Sequence, residues 1–505
     1  MIKIRKKIFL LTTFFSILFL NQTNIIFADL TKITDDFKKK LKTRKITLSE
    51  LTQTFLKKLP EYSYSDVDEN KNFIPYIQKY KTPFVKSTDL YNDLLGAIGS
   101  IIYNYSNDLL EKKKNWVNKD MINTTDENEF YEQKITFGKK TTPIIIIGDL
   151  HGSLWSLIRI CWTLVALKIL DNNFKTKYPI IFLGDYVDRG PCGIEIWYLL
   201  SILKTVNNNK IILIRGNHES SYLNSMPPHS GGFTNELENK FPKDVTYFSH
   251  FMKSIYTVLP VNTYLNFNGN YISFRHGGIN PFDKNIKTFL NQKDKKFRKI
   301  NTSEFITYKN QNYYGYDGYN YSYFTDGKIP QFTYNDYKIQ IKPNDTMKAG
   351  FLAGQEGTKK YLTDNNLKLI IRGHQHSGKY DTDQFIILDY KKGFLPWKNV
   401  INKNDRKDNQ FTITDNNLVF TTYSCPIFQD FKNDCFLILE PKENNKINVK
   451  VYESKLKEKN RYEKYISIKP SKNKLQPINV KWSKQPLSNP ISKKLIDIAK
   501  SNVSN

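Results

Sequence analysis

The sequence predicts an α/β fold, and three observations predict it. Short apolar runs, IIII at 144–147, PIIFLG at 179–184 and KIILIRG at 210–216, end in glycine or charged residues and have the length of buried strands. Between them lie SLWSLIRICWTLVALKIL and GIEIWYLLSILKTV, each with apolar residues at helical spacing. The order β-α-β-α-β implies a sheet joined by crossover helices, with its chemistry on loops at the carboxyl ends of the strands.

The remaining elements follow from the N-terminus. Lys3, Arg5, Lys6 and Lys7 precede an apolar stretch at 8–20, and Ala28 closes a short segment after it, the pattern of a cleaved signal peptide over residues 1–28. An apolar core of that length is short for a membrane span, so a secreted or periplasmic protein is expected, with an uncleaved membrane anchor as the alternative. Residues 29–135 are Lys-rich and read as a helical extension, clearest from Leu90 to Leu110, where Leu90, Leu94, Leu95, Ile98, Ile101 and Ile102 repeat at helical spacing. A Tyr/Asn/Gly-rich insert from Tyr308 to Tyr337 shows little periodicity and reads as a long surface loop. Residues 441–505 form a basic tail, with 16 Lys/Arg against 5 Asp/Glu.

Composition bounds the function classes. The 505 residues are 39% hydrophobic and 14% aromatic, as in a globular protein, and no later apolar run approaches the roughly 18 residues of a span. A formal charge of +27, or +23 without the four N-terminal basic residues, is compatible with an anionic surface or a partner protein docking on the tail. The tail lacks an aromatic stacking pattern beyond Tyr452, Tyr462, Tyr465 and Trp482, so no specific nucleic-acid binding is expected. Four cysteines without a CxxC argue against a thiolate zinc site. Cys161 and Cys192 read as plain thiols, while Cys425 and Cys435 could bridge a late hairpin.

Each of the three strands runs into a polar loop: GDLHG at 148–152, GDYVDRG at 184–190 and RGNHE at 215–219. HGG at 276–278 and RGHQH at 372–376 follow, and these five loops hold five of the seven histidines. One such loop alone is commonest as a structural turn. Together, at the ends of alternating strands, they offer the oxygen and imidazole donors that suit Mn, Fe or Zn. Two such ions polarise phosphoryl oxygens and generate hydroxide at neutral pH, which is most of what phosphate hydrolysis needs.

The set GDxHG, GDxVDRG, GNHE, HGG and RxH resembles the metal-dependent phosphoprotein phosphatases of the calcineurin-like metallophosphoesterase superfamily. The likeness extends to GGFTNELENKF, LPVNTYL and FLAGQEGTKKYLTDNNLKLIIRGHQ, and covers roughly residues 140–440. It implies a metallophosphoesterase-type β-sandwich flanked by helices, with a catalytic domain at 136–440 between the helical extension and the basic tail. It implies that Asp149 and His151 hold a first metal ion, that Asp185 bridges two, and that Asn217, His276 and His374 complete the second site. His218 would protonate the leaving alkoxide, Asp188 would orient it, and Arg189, with Asn217 beside it, would bind the phosphate.

His376 has two readings, a ligand of the first metal or a residue outside the ligand set. The sequence departs from the family in three places. Thr346 stands where a second phosphate-binding arginine is expected, with Lys348 nearby as a substitute without the planar fork. Phe428 replaces a tyrosine, and NSMPPHSGG after RGNHE is longer than usual. The expected substrate is phosphoserine or phosphothreonine in proteins, with a phosphorylated small molecule, dinucleoside polyphosphates included, as the alternative. A phosphate-binding protein that has lost catalysis is the reading from a different class.

Overall fold

The computed structural model describes residues 32–43, 45–59, 82–84, 88–111, 130–137, 142–225, 232–267, 269–279, 285–300, 351–353, 355–374, 385–389, 393–396, 410–413, 417–425, 433–442 and 446–455, with short strands at 305–308, 311–314, 323–324, 332–334, 337–339, 341–343, 465–466 and 480–481.

Ile144–Ile147, Ile180–Phe182 and Ile211–Leu213 are neighbouring parallel strands, joined by the helices Leu154–Ala166 and Gly193–Asn207, as the alternation of apolar runs predicts. Asn433–Pro441, Ile447–Lys455 and Gln410–Ile413 extend them antiparallel into a six-stranded sheet. An eight-stranded mixed sheet faces it, containing Phe130–Ile135, Pro260–Phe267, Asn270–Arg275, Leu367–Arg372 and Asn417–Thr422.

Alternation along the strands sorts the side chains into two cores. Ile144, Ile146, Ile181 and Ile212 face Leu265, Ile272, Phe274, Leu369 and Ile371 between the sheets. Ile145, Ile147, Ile180, Phe182 and Ile211 point the other way, into a core with the two crossover helices. The sandwich flanked by helices is therefore present.

The Asp89–Glu111 helix confirms the periodicity read from Leu90 onward, and its Leu94, Ile98 and Ile101 join the helix-side core. Phe37 and Phe84 pack on Tyr198, at ring separations of 6.4 and 5.1 Å, and Trp162 Nε1 donates to Thr52 Oγ1 at 3.1 Å. The extension is thus a layer of the same body.

Two boundaries and one loop differ from expectation. Phe130–Ile135 pairs parallel with Pro260–Phe267, so the sheet begins before residue 136. Ile447–Lys455 pairs along its length with Asn433–Pro441, so a limit at 440 would cut a hairpin held by backbone hydrogen bonds. The Tyr-rich insert contains strands rather than a plain loop, including the hairpin Phe305–Tyr308 with Gln311–Tyr314, whose Phe305, Ile306, Thr307 and three tyrosines favour strands and whose turn is two residues long.

None of the four cysteines is in a disulfide, and all four are buried. No 425–435 bridge forms, although the Cys435 backbone N–H bonds to the Ser424 carbonyl beside Cys425 at 3.2 Å. No described helix is long and apolar enough to cross a membrane, and the proposed signal segment lies outside the described residues.

Candidate functional site

The five loops converge at the carboxyl ends of the parallel strands and their neighbours in the facing sheet. Close approach is built into the backbone. A Cβ on Gly216 would collide with Asp185 Oδ1, and one on Gly373 would collide with Asp149 Oδ1, so only glycine lets RGNHE and RGH pass beside those carboxylates. Among the described residues eight non-glycine residues have positive φ, and five are His151, Asp185, Asp188, Arg189 and His374. Strain of this kind gathers where a site must be held in one geometry.

Asp185 is the centre of the cluster. Its Oδ2 lies 3.1 Å from His276 Nε2 and 3.4 Å from His151 Nε2, and its Oδ1 accepts the His218 backbone N–H at 3.0 Å. Two groups of side chains could each hold a cation, His151–Asp185–His218 and Asp185–His276–His374, and Asp185 is common to both. Asn217 Oδ1 lies 2.9 Å from His276 Nε2 and from His374 Nδ1, which joins it to the second group. Asp149 is fully buried, 3.8 Å from His276 Nδ1, and accepts the His374 backbone N–H at 3.2 Å.

The donor set fits divalent metal ions. His151 Nδ1 lies 3.0 Å from the Val187 carbonyl and His276 Nδ1 3.0 Å from the Leu183 carbonyl, so each Nδ1–H is anchored and each Nε2 lone pair faces Asp185. Such outer hydrogen bonds fix the tautomer of a metal-ligating imidazole. The electrostatics also call for positive charge. Burial lifts the Asp149 carboxyl to about 7, with Asp185 adding to the rise. Burial would lift Asp185 as well, but His276, His218 and His151 hold it well below its ordinary value. Burial would lower His276, yet Asp185 and Asp149 together raise it. His151, buried and beside Arg189, falls well below the usual imidazole range.

A second constellation adjoins the first. His218 Nδ1 pairs with Asp188 Oδ2 at 2.7 Å. The Arg189 guanidinium lies between the imidazoles, with Nη1 2.7 Å from His151 Nε2 and Nη2 3.3 Å from His218 Nε2. A cation, an imidazole oriented by a carboxylate and a set of metal donors therefore share one small volume. That arrangement can bind an anion, polarise it and deliver a proton to a departing oxygen.

Every expected site residue, Asp149, His151, Asp185, Asp188, Arg189, Asn217, His218, His276 and His374, falls in this cluster. His376, Thr346, Lys348 and Phe428 lie outside the described residues.

Sequence reasoning missed the supporting residues. Glu219 accepts the backbone N–H groups of Asp185, Tyr186 and Gly216, each at 2.8 Å, and so pins two loops together. Burial and Asp185 raise its carboxyl to about 8, against those donors. Its position in RGNHE was a signal. Asn224 and Tyr256, described below, carried none.

Residues 142–378 match the family model for the calcineurin-like phosphoesterases. The chain is 29% identical over 234 residues to a PP2A-like serine/threonine-protein phosphatase, PPG1, from Candida albicans, covering 46% of this chain and 47% of that protein. It is 28% identical over 235 residues to the serine/threonine-protein phosphatase 4 catalytic subunit of Kluyveromyces lactis, covering 46% and 63%. It thus spans about half the length of the curated relatives it matches. A solved serine/threonine phosphatase from Saccharomyces cerevisiae, described as similar to human PP5, aligns over 79% of this chain and 98% of its own at 16% identity and a TM-score of 0.45.

Proposed function

Because residues 142–378 belong to the calcineurin-like phosphoesterase family, we propose that this chain is a two-metal phosphatase acting on phosphoserine and phosphothreonine in proteins. The observation that carries the reading is Asp185, shared by two candidate ligand groups and flanked by the Asp188–His218 pair and Arg189.

Asp149, His151 and Asp185 would hold one ion, and Asp185, Asn217, His276 and His374 the other. Mn, Fe or Zn bound there would supply Lewis-acid polarisation of the phosphoryl oxygens and lower the pKa of water. The protein's own groups do the rest. Arg189 binds phosphoryl oxygens through its planar fork and offsets the charge that grows on them. His218 donates a proton to the leaving alkoxide from the nitrogen opposite Asp188, whose carboxylate fixes the ring and stabilises its charged form.

The protein phosphatases among its relatives favour a phosphoprotein substrate. The basic tail supports docking on an anionic surface or an acidic partner. The N-terminal pattern at Lys3–Ala28 supports export, with a retained anchor as the competing outcome. N-terminal sequencing of the protein from its native source separates those two.

The functional test is hydrolysis of p-nitrophenyl phosphate and of a phosphoserine peptide by the chain supplied with Mn, Fe or Zn, beside Asp185→Asn and His218→Ala. Metal-dependent turnover of both substrates, lost in both variants, is expected. Turnover of small phosphates alone would move the assignment to a small-molecule phosphoesterase. Bound metal without turnover would mean a phosphate-binding protein.

A further inference from the structure

The Asp188–His218 pair is held by an amide that belongs to none of the five loops. Asn224 ends the short helix Ser221–Asn224 and is buried, as are Asp188 and Tyr256. Its Nδ2 donates to Asp188 Oδ1 and Oδ2 at 3.1 and 3.0 Å, and to the His218 carbonyl at 2.8 Å. Its Oδ1 accepts the Tyr256 hydroxyl at 2.7 Å. The same carboxylate takes the Phe233 backbone N–H at 2.6 Å.

These bonds fix the amide from both ends. Only the NH2 group can face a carboxylate and a carbonyl, so the amide oxygen must turn toward Tyr256, where a hydroxyl donates to it. Tyr256 is itself locked in an aromatic layer, its ring 6.3 Å from Trp197, which packs 5.0 Å from Tyr186. The chain of contacts therefore runs from the Val245–Val258 helix, through Tyr256 and Asn224, to the carboxylate that orients His218.

We propose that Asn224, oriented by the Tyr256 hydroxyl, is the positioning residue that sets the Asp188–His218 pair for proton donation to the leaving group. The inference rests on the phosphatase reading above. The Nδ2 contacts of Asn224 reach both halves of the pair, so its loss leaves Asp188 held on that side by the Phe233 N–H alone and removes the side-chain tether on the His218 carbonyl. The consequence falls on the step that needs the proton. A leaving group that departs as a stable anion, p-nitrophenolate, depends on it little, whereas a serine alkoxide depends on it fully.

The test compares kcat on p-nitrophenyl phosphate and on a phosphoserine peptide for the full chain with Mn. In Asn224→Ala the peptide rate is expected to fall at least about 10-fold further than the p-nitrophenyl phosphate rate, the scale of a hydrogen bond to a charged group. Asn224→Asp keeps the size of the side chain but sets a second carboxylate against Asp188, so it should fall at least as far. Tyr256→Phe, which removes one oxygen and keeps the packing, should show the same selective loss at roughly 3-fold.

An equal loss on both substrates, or rescue by Asn224→Asp, would reduce Asn224 to a packing role and overturn the proposal. Crystal structures of the Asn224→Ala and Tyr256→Phe proteins give a readout independent of turnover. A His218 Nδ1–Asp188 Oδ2 separation opened from 2.7 Å, or a second imidazole rotamer, is expected in the first, and an unchanged pair would refute it. If the wild-type chain turns over neither substrate, the phosphatase reading fails, and the crystal structures alone decide the positioning role.

Discussion

Two clusters of buried charge lie close together in this fold and are built on opposite plans. Around Lys240 the charges close on themselves. Its Nζ donates to Glu195 Oε2 at 2.5 Å, to Glu236 Oε1 at 2.9 Å and to the Pro191 carbonyl at 2.7 Å, using all three ammonium protons. Glu236 also accepts the Gly193 and Ile194 N–H groups at 2.8 and 3.0 Å. Around Asp185, by contrast, carboxylates, an amide oxygen and imidazole lone pairs face one another, and the nearest fixed cation, Arg189, stands to one side. A cluster that satisfies itself is scaffold, and a cluster of facing acceptors is a place for a ligand.

Asp185→Asn tests the difference most strongly. It should lower metal-dependent turnover by more than about 10³-fold, or about 4 kcal/mol of transition-state stabilisation, with a much smaller cost to metal-free stability from the weakened contacts to the surrounding imidazoles. Activity assays beside calorimetry check both halves, and a large loss of metal-free stability would make Asp185 structural. Lys240→Met should invert that pattern, costing about 3 kcal/mol in denaturant titration by leaving two buried carboxylates without their cation. If unfolding midpoints barely move, the scaffold role assigned to this cluster is wrong.

Metal itself gives the third comparison. At a free concentration about 100 times its Kd, an ion that binds only the folded chain adds about 2.7 kcal/mol of stability, so a chelator should lower the melting temperature of the wild type and spare Asp185→Asn. Equal shifts in the two proteins would place the metal elsewhere. The smallest effect belongs to an exposed polar pair. Thr47 and Glu50 form a capping box at the start of Leu48–Lys58, with Glu50 N–H to Thr47 Oγ1 at 3.2 Å and Thr47 N–H to Glu50 Oε2 at 3.1 Å. Thr47→Ala should cost about 1 kcal/mol by thermal unfolding and leave kinetics untouched.

The ligand-like cluster was legible in the sequence and the scaffold cluster was not. GDLHG, GDYVDRG, RGNHE, HGG and RGH place their carboxylates and imidazoles within a few residues of strand ends, so local pattern reveals them. Nothing local marks Glu195, Glu236 and Lys240 as a buried set, and only the packing of Gly193–Asn207 against Phe233–Lys240 brings them together. Asn224 was hidden for the same reason, since its partners Asp188 and Tyr256 come from distant segments. The crossover strands were plain from their apolar runs. The hairpin at 305–314 was not, because its aromatic and polar residues give strand propensity without a clean alternation.

The shared core of the N-terminal helices and the sheet also bears on the order in which the chain can fold. Phe37, Leu94 and Ile98 are synthesised early, but the surfaces they bury against, Tyr198 and its neighbours on the Gly193–Asn207 helix, come much later. Until then those apolar side chains have only each other, as where Phe37 packs against the Asp89–Glu111 helix at Gly96, and Tyr91 waits longer still for Asp244, whose carboxylate its hydroxyl meets at 3.3 Å. The N-terminal segment therefore reaches its full burial only once the helices up to residue 258 are in place, a long-range closure that slows folding.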